Sequence, residues 1–97
     1  MERIDLRSDT VTLPSDANAE AIVVRMEAIA RDHCVLRAKG YVAVAGKPMR
    51  LLVQGVGTRV RTQFDRPWRA DEARLSRIVV IGERGIDRDA ITAVLTG

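Results

Sequence analysis

The sequence predicts an α+β domain: one mainly antiparallel sheet in the order β-α-β-β-β-β-α, with two helices packed on one face. Three observations carry that prediction. Between residues 35 and 64, three consecutive segments alternate in period 2 and are joined by short glycine-containing connections, which suit hairpins and not crossovers. One stretch before them and one after place apolar residues at helical spacing. The 97 residues suffice for a single modest core and no second domain.

The elements follow in order. Val11-Thr12-Leu13 is β-prone, can extend back to Leu6, and is stopped by Pro14. Residues 1–15 form an atypical leader that contains this first strand. Ser15 or Asp16 offers an N-cap oxygen to the helix that follows. In that helix Ile22, Met26 and Ile29 recur at i, i+4 and i+7, with Glu20, Arg25, Glu27 and Arg31 largely off the stripe, and it ends near His33.

Val35 to Ala45 is a long strand. One parity holds Arg37, Lys39, Tyr41 and Ala43 and faces outward; the other holds Leu36, Ala38, Gly40, Val42 and Val44 and faces the core. After the turn Gly46-Lys47-Pro48, Met49, Leu51 and Val53 alternate with Arg50, Leu52 and Gln54. Gly55-Val56-Gly57 breaks the run. Arg59, Arg61 and Gln63 then alternate with Val60, Thr62 and Phe64, and Asp65 to Arg74 reads as a polar loop. Ile78 to Ile81 is apolar on both parities, as a central strand covered on both sides would be. Asp87 caps the last helix, Ile86 and Ile91 fit a hydrophobic staple, and Ile91, Val94 and Leu95 face the core.

Composition excludes several function classes. With Tyr41, Phe64 and Trp68 as the three aromatics, the core must be aliphatic. Cys34 is the one cysteine and His33 the one histidine, so neither an internal disulfide nor a four-ligand Cys/His zinc site can form within the chain. The first nine residues are charged and lack an apolar h-region, and no apolar run approaches membrane-spanning length, so a cytoplasmic setting is expected. There is no Gly-x-x-x-x-Gly-Lys-Ser/Thr loop to cradle phosphates. His33-Cys34 is an adjacent nucleophile–base pair, but sequence neighbours rarely aim their side chains at each other and no third, orienting group is identifiable. No catalytic residue and no cofactor is called for. A metal site shared between His33, Cys34 and a partner chain is the alternative use of that pair.

Charge is distributed unevenly. The total of +3 conceals a segment, residues 37–77, with ten cations against three acids, a net of +7. Arg37, Lys39, Arg50, Arg59 and Arg61 fall on one parity and would line one sheet face. The plain reading is a solvated surface. The functional reading is docking against acidic protein, where arginine binds carboxylates in a planar, bidentate way. RNA is disfavoured, because sheet-type RNA readers stack bases on two or three aromatics and this face offers Tyr41 alone.

Four motifs, in order, resemble the C-terminal domain of CobW-type proteins: Leu36-Arg37-Ala38-Lys39-Gly40-Tyr41, then Gly46 to Gly57, then Phe64-Asp65-Arg66-Pro67-Trp68, then Arg77-Ile78-Val79-Val80-Ile81-Gly82. The resemblance runs from about Asp16 to Gly97. Full-length members of that family are P-loop GTPases linked to metal delivery, including cobalt handling in cobalamin biosynthesis and zinc homeostasis. Their Walker-type loop and Cys-rich metal motif belong to the GTPase domain and have no counterpart in this sequence. The resemblance implies a non-catalytic accessory domain whose partner is a cognate P-loop GTPase domain or a metal-client protein. The expected contact residues are Arg37, Lys39, Tyr41, Arg50, Gln54, Arg59, Arg61, Asp65, Arg66 and Trp68. The half-exposed sheet would also permit self-association. Separately, Ile4 to Ser15 is similar to the opening of threonine aldolases. That likeness covers twelve residues, stops at Asp16, and reads as a leader rather than an enzyme.

Overall fold

A computed structural model describes residues 6–14, 16–83 and 85–97. The elements are β1 (Leu6–Leu13), α1 (Ala19–Asp32), β2 (Val35–Ala43), β3 (Met49–Val56), β4 (Arg59–Pro67), β5 (Ser76–Glu83) and α2 (Arg88–Thr96). This is the expected α+β order. The five strands form one sheet in the order β1-β5-β2-β3-β4, with every neighbouring pair antiparallel. Strands β2, β3 and β4 are the expected meander. The chain then returns from the β4 edge to insert β5 between β1 and β2.

The core is aliphatic, as the composition requires. Ile22, Met26 and Ile29 of α1 and Ile91 and Leu95 of α2 pack with Val11, Val42, Leu51, Val53, Ile78 and Val80 on one face of the sheet. None of the three aromatics is in it. Arg25 reaches across to donate to the Leu95 carbonyl at 3.5 Å, joining the two helices where the α2 dipole is negative. Asp87 caps α2 by accepting from the amides of Asp89 and Ala90, and Ile86 is buried beside the core.

The structure corrects several boundaries. The α1 cap is Asn18, whose Oδ1 accepts from the amides of Glu20 and Ala21 at 2.9 and 3.0 Å. Asp16 does not serve. Asp16 precedes a short parallel bridge between Ala17 and Val44, which delays the helix, and Ser15 lies outside the described residues. Strand β2 stops at Ala43, where Ser76 Oγ accepts the Ala43 amide at 2.8 Å and Val44 turns to the bridge.

Leu36 is exposed, not buried, while Val35 is buried. The β2–β5 register slips between Val35 and Arg37, and this bulge reverses the parity at the strand's start. Ala43, expected outward, is also buried, yet lies outside the core cluster.

Strand β3 runs on through Val56, and the turn falls at Gly57-Thr58 with Gly57 at φ +56°. The presumed loop from Asp65 begins as strand. Strand β4 continues to Pro67 through a register shift opposite Met49–Leu51, as an edge strand tolerates. Strand β5 is interior but covered on one face only: Ile78 and Val80 are buried while Val79 stays 39% exposed. Both helices lie on the other face.

Candidate functional site

The helix-free face of the sheet gathers most of the expected contact residues. Its geometry follows from register, because residues directly opposite in antiparallel strands share a face. One cross-strand row reads Ser8, Ile81, Arg37, Val56, Arg59. The next reads Thr10, Val79, Lys39, Gln54, Arg61. The third reads Thr12, Arg77, Tyr41, Leu52, Gln63.

Arg37 and Lys39 therefore stand on β2, and Arg59 and Arg61 two strands away on β4. By ordinary sheet spacings the four mark the corners of a rectangle of about 7 by 10 Å. Between them stand Val56, 59% exposed, and Gln54 of β3, while Val79 of β5 flanks Lys39 on the other side. Shallow grooves of about 370 Å³ separate the β3 and β4 side chains, lined by Gln54, Val56, Arg59 and Arg61 in one case.

The cations on this face divide into two groups. Arg50 is neutralised: it pairs with Asp65 and stacks its guanidinium 3.7 Å from the centre of the Tyr41 ring. Arg37, Lys39, Arg59, Arg61 and Arg77 have no ion-pair partner among the described residues. Placing five unmatched cations on one face costs self-repulsion, partly screened over a Debye length of about 8–10 Å. It also projects a positive field toward an approaching partner.

The connection from β4 to β5 passes the ends of β3 and β2 and walls off one corner of this face. Arg66, expected as a contact residue, is instead turned into the loop. It grips Glu72 with both terminal nitrogens, at 2.6 and 3.0 Å, and the Arg69 amide adds a third bond to Glu72 at 2.7 Å. The Arg66 guanidinium first, and that amide second, hold the Glu72 carboxyl down at about 2. Arg74 ties the far end of the loop to the Val44 carbonyl at 2.7 Å. The fixed loop leaves a cleft of about 310 Å³ between Tyr41, Trp68, Ala73, Leu75 and Arg77. The Trp68 indole N–H is buried and has no acceptor among the described residues.

Arg77 and Leu75 are the site residues that sequence reasoning missed. Arg77 belongs to the outward parity of β5, but the run Ile78 to Ile81 is apolar on both parities and hides it. Leu75 sits in a loop whose path depends on where β5 inserts.

His33 and Cys34 lie elsewhere, after α1. Cys34 is exposed, and its backbone takes φ +58°. Among the described residues no three His, Cys, Asp or Glu side chains converge to hold a metal ion. No described helix is long and apolar enough to cross a membrane.

Gly40 explains how the face is held in register. A Cβ there would lie 2.0 Å from the Arg77 carbonyl oxygen and 2.8 Å from Ile78 Cα. The two strands meet more closely at this point than any side chain allows, beside the Tyr41–Arg77 pair that helps to line the cleft.

Comparison with known proteins adds the following. Residues 6–97 match the family described as the cobalamin synthesis protein CobW C-terminal domain. A zinc chaperone CobW from Sinorhizobium is 45% identical over 89 residues, which is 92% of this chain and 25% of that protein. A zinc chaperone CobW from Pseudomonas aeruginosa is 52% identical over 81 residues, 84% of this chain and 21% of that protein. The crystal structure of the Zn(II)-bound YjiA GTPase from E. coli superposes with a TM-score of 0.77 at 33% identity, over 93% of this chain and 28% of that one. The chain thus spans about a quarter of the length of the proteins it resembles.

Proposed function

Because the chain belongs to the cobalamin synthesis protein CobW C-terminal domain family, we propose that it is the non-catalytic accessory domain of a metal-handling GTPase and that its helix-free sheet face docks a protein partner. The partner that fits the family is a P-loop GTPase domain of the CobW type, or a client that receives the metal. The metal is cargo for the assembly, in keeping with relatives that are zinc chaperones and with the Zn(II)-bound state of the YjiA GTPase. This chain would supply contacts and orientation, and the GTPase domain the nucleotide chemistry.

One observation carries the reading: five cations with no ion-pair partner among the described residues share a sheet face with exposed Val56 and Val79, while both helices occupy the opposite face. Exposed apolar side chains set among like charges are costly for a surface that only meets water, and well suited to one that meets an acidic partner.

Amide chemical-shift mapping tests it. A separately purified CobW-type GTPase domain added to the labelled chain should move resonances of Lys39, Gln54, Arg61 and Val79 and leave exposed α1 positions such as Val24 in place. Shifts confined to the helices would refute the assignment of the face.

A further inference from the structure

Resting on that docking reading, we propose that the cleft between Tyr41, Trp68, Leu75 and Arg77 is the anchor of the surface, and that it receives a large aliphatic side chain from an acidic, extended polypeptide segment whose flanking carboxylate pairs with Arg77. The cleft has the size and walls for one side chain. Its volume is about 310 Å³, and its lining combines a phenol ring, an indole and Leu75, which is 42% exposed. Arg77 stands at its rim with no acidic partner among the described residues.

The cleft is preformed. Glu72 fastens its loop wall through three hydrogen bonds, Arg74 fastens the loop's end, and Arg50 fixes the Tyr41 ring from above. Binding there orders little that is not already ordered, which is the condition for a strong anchor.

The rest of the face specifies an acidic segment. Arg37 and Lys39, like Arg59 and Arg61, are spaced two residues apart on one strand, about 7 Å, the interval at which an extended chain presents alternate side chains. A second copy of this chain would bring the same positive face to it. A nucleic acid would need stacking platforms, and Tyr41, the one aromatic in the three cross-strand rows, already has Arg50 against its ring.

Trp68 is the only tryptophan in the sequence, so its emission reports on this cleft alone. The probe is an acetylated heptapeptide, Glu-Asp-Glu-Leu-Asp-Glu-Asp, titrated at low salt against the intact chain. Its comparisons are the same peptide with Ser for Leu, one with Lys for every acid, and poly(U). The Leu peptide should shift Trp68 emission and bind about tenfold or more tighter than the Ser peptide, the scale of one buried leucine side chain. Leu75→Arg, at an exposed position where the added positive charge cannot weaken binding of acidic peptides, should abolish that difference. Arg77→Ala should weaken binding several-fold, and the Lys peptide should not bind. Equal binding of the Leu and Ser peptides with Trp68 silent overturns the anchor while leaving the docking face intact. Binding of the acidic peptides unchanged by Arg37→Glu with Arg61→Glu overturns the docking reading itself. Tighter binding of poly(U), with the same emission change, overturns the assignment to a polypeptide.

Discussion

Replacing Gly40 with alanine tests whether close approach of β2 and β5 builds this face. The added Cβ would lie 2.0 Å from the Arg77 carbonyl oxygen, 2.8 Å from Ile78 Cα and 2.9 Å from the Arg77 carbonyl carbon. All three are backbone atoms of a paired strand, so no side chain can swing aside. The sheet must open between the strands that carry Tyr41 and Arg77. Overpacking of well-packed sites costs about 1–3 kcal/mol, and a clash with backbone belongs at or above the top of that range. A loss of about 3 kcal/mol lowers the melting temperature of a domain this size by roughly 12–24 °C.

Gly55 is the matched control. It lies on β3, opposite Ala38, and a Cβ there meets Met26 Cε at 3.4 Å, an ordinary contact with a flexible side chain. Gly55→Ala should melt within a few degrees of the parent, or slightly above it through reduced unfolded-state entropy. The assay is thermal unfolding by circular dichroism, with Trp68 emission as a second probe of the cleft. Near-parental melting of Gly40→Ala, or equal losses in both variants, would refute the close-approach argument.

Two further predictions concern local stability. Asn18→Ala removes the acceptor for two orphan amides and should cost about 1 kcal/mol, whereas Asp16→Ala should cost far less, its contact with Arg74 being long and exposed; denaturant midpoints of the two variants decide which residue caps α1. The Glu72 carboxyl is lowered from 4.5 to about 2 in the folded chain, so its contribution is present above pH 4.5 and is lost as pH falls from there toward 2. Glu72→Gln should therefore melt below the parent at neutral pH, with the gap closing near pH 2, and a gap independent of pH would contradict the ion-pair account.

The sequence made the elements legible wherever one periodicity dominated. The stripe Ile22, Met26, Ile29 and the alternation from Met49 to Gln54 each correspond to a single buried face. The cationic parity of β2 and β4 was legible for the same reason. What misled was local. One inserted residue at Leu36 reverses which side chains are buried, and no composition signal marks a bulge there. The double-sided apolar run in β5 resembles a strand covered on both faces, although Val79 faces outward among cations. The cleft was not legible at all. It arises because the chain leaves edge strand β4 and re-enters the sheet between β1 and β2, carrying Trp68 and Leu75 to Tyr41. That long-range choice of strand order leaves no trace in a window of neighbouring residues.

The docking claim turns most directly on the affinity of a CobW-type P-loop GTPase domain for the parent chain and for Arg37→Glu with Arg59→Glu, measured by calorimetry at two salt concentrations. Like charges brought together across an interface cost several kcal/mol, so the double variant should bind at least about thirtyfold more weakly, and the parent's affinity should fall as salt rises. Affinity indifferent to both the reversals and the salt, but lost on Glu20→Lys with Glu27→Lys in α1, would place the interface on the helical face and contradict the account.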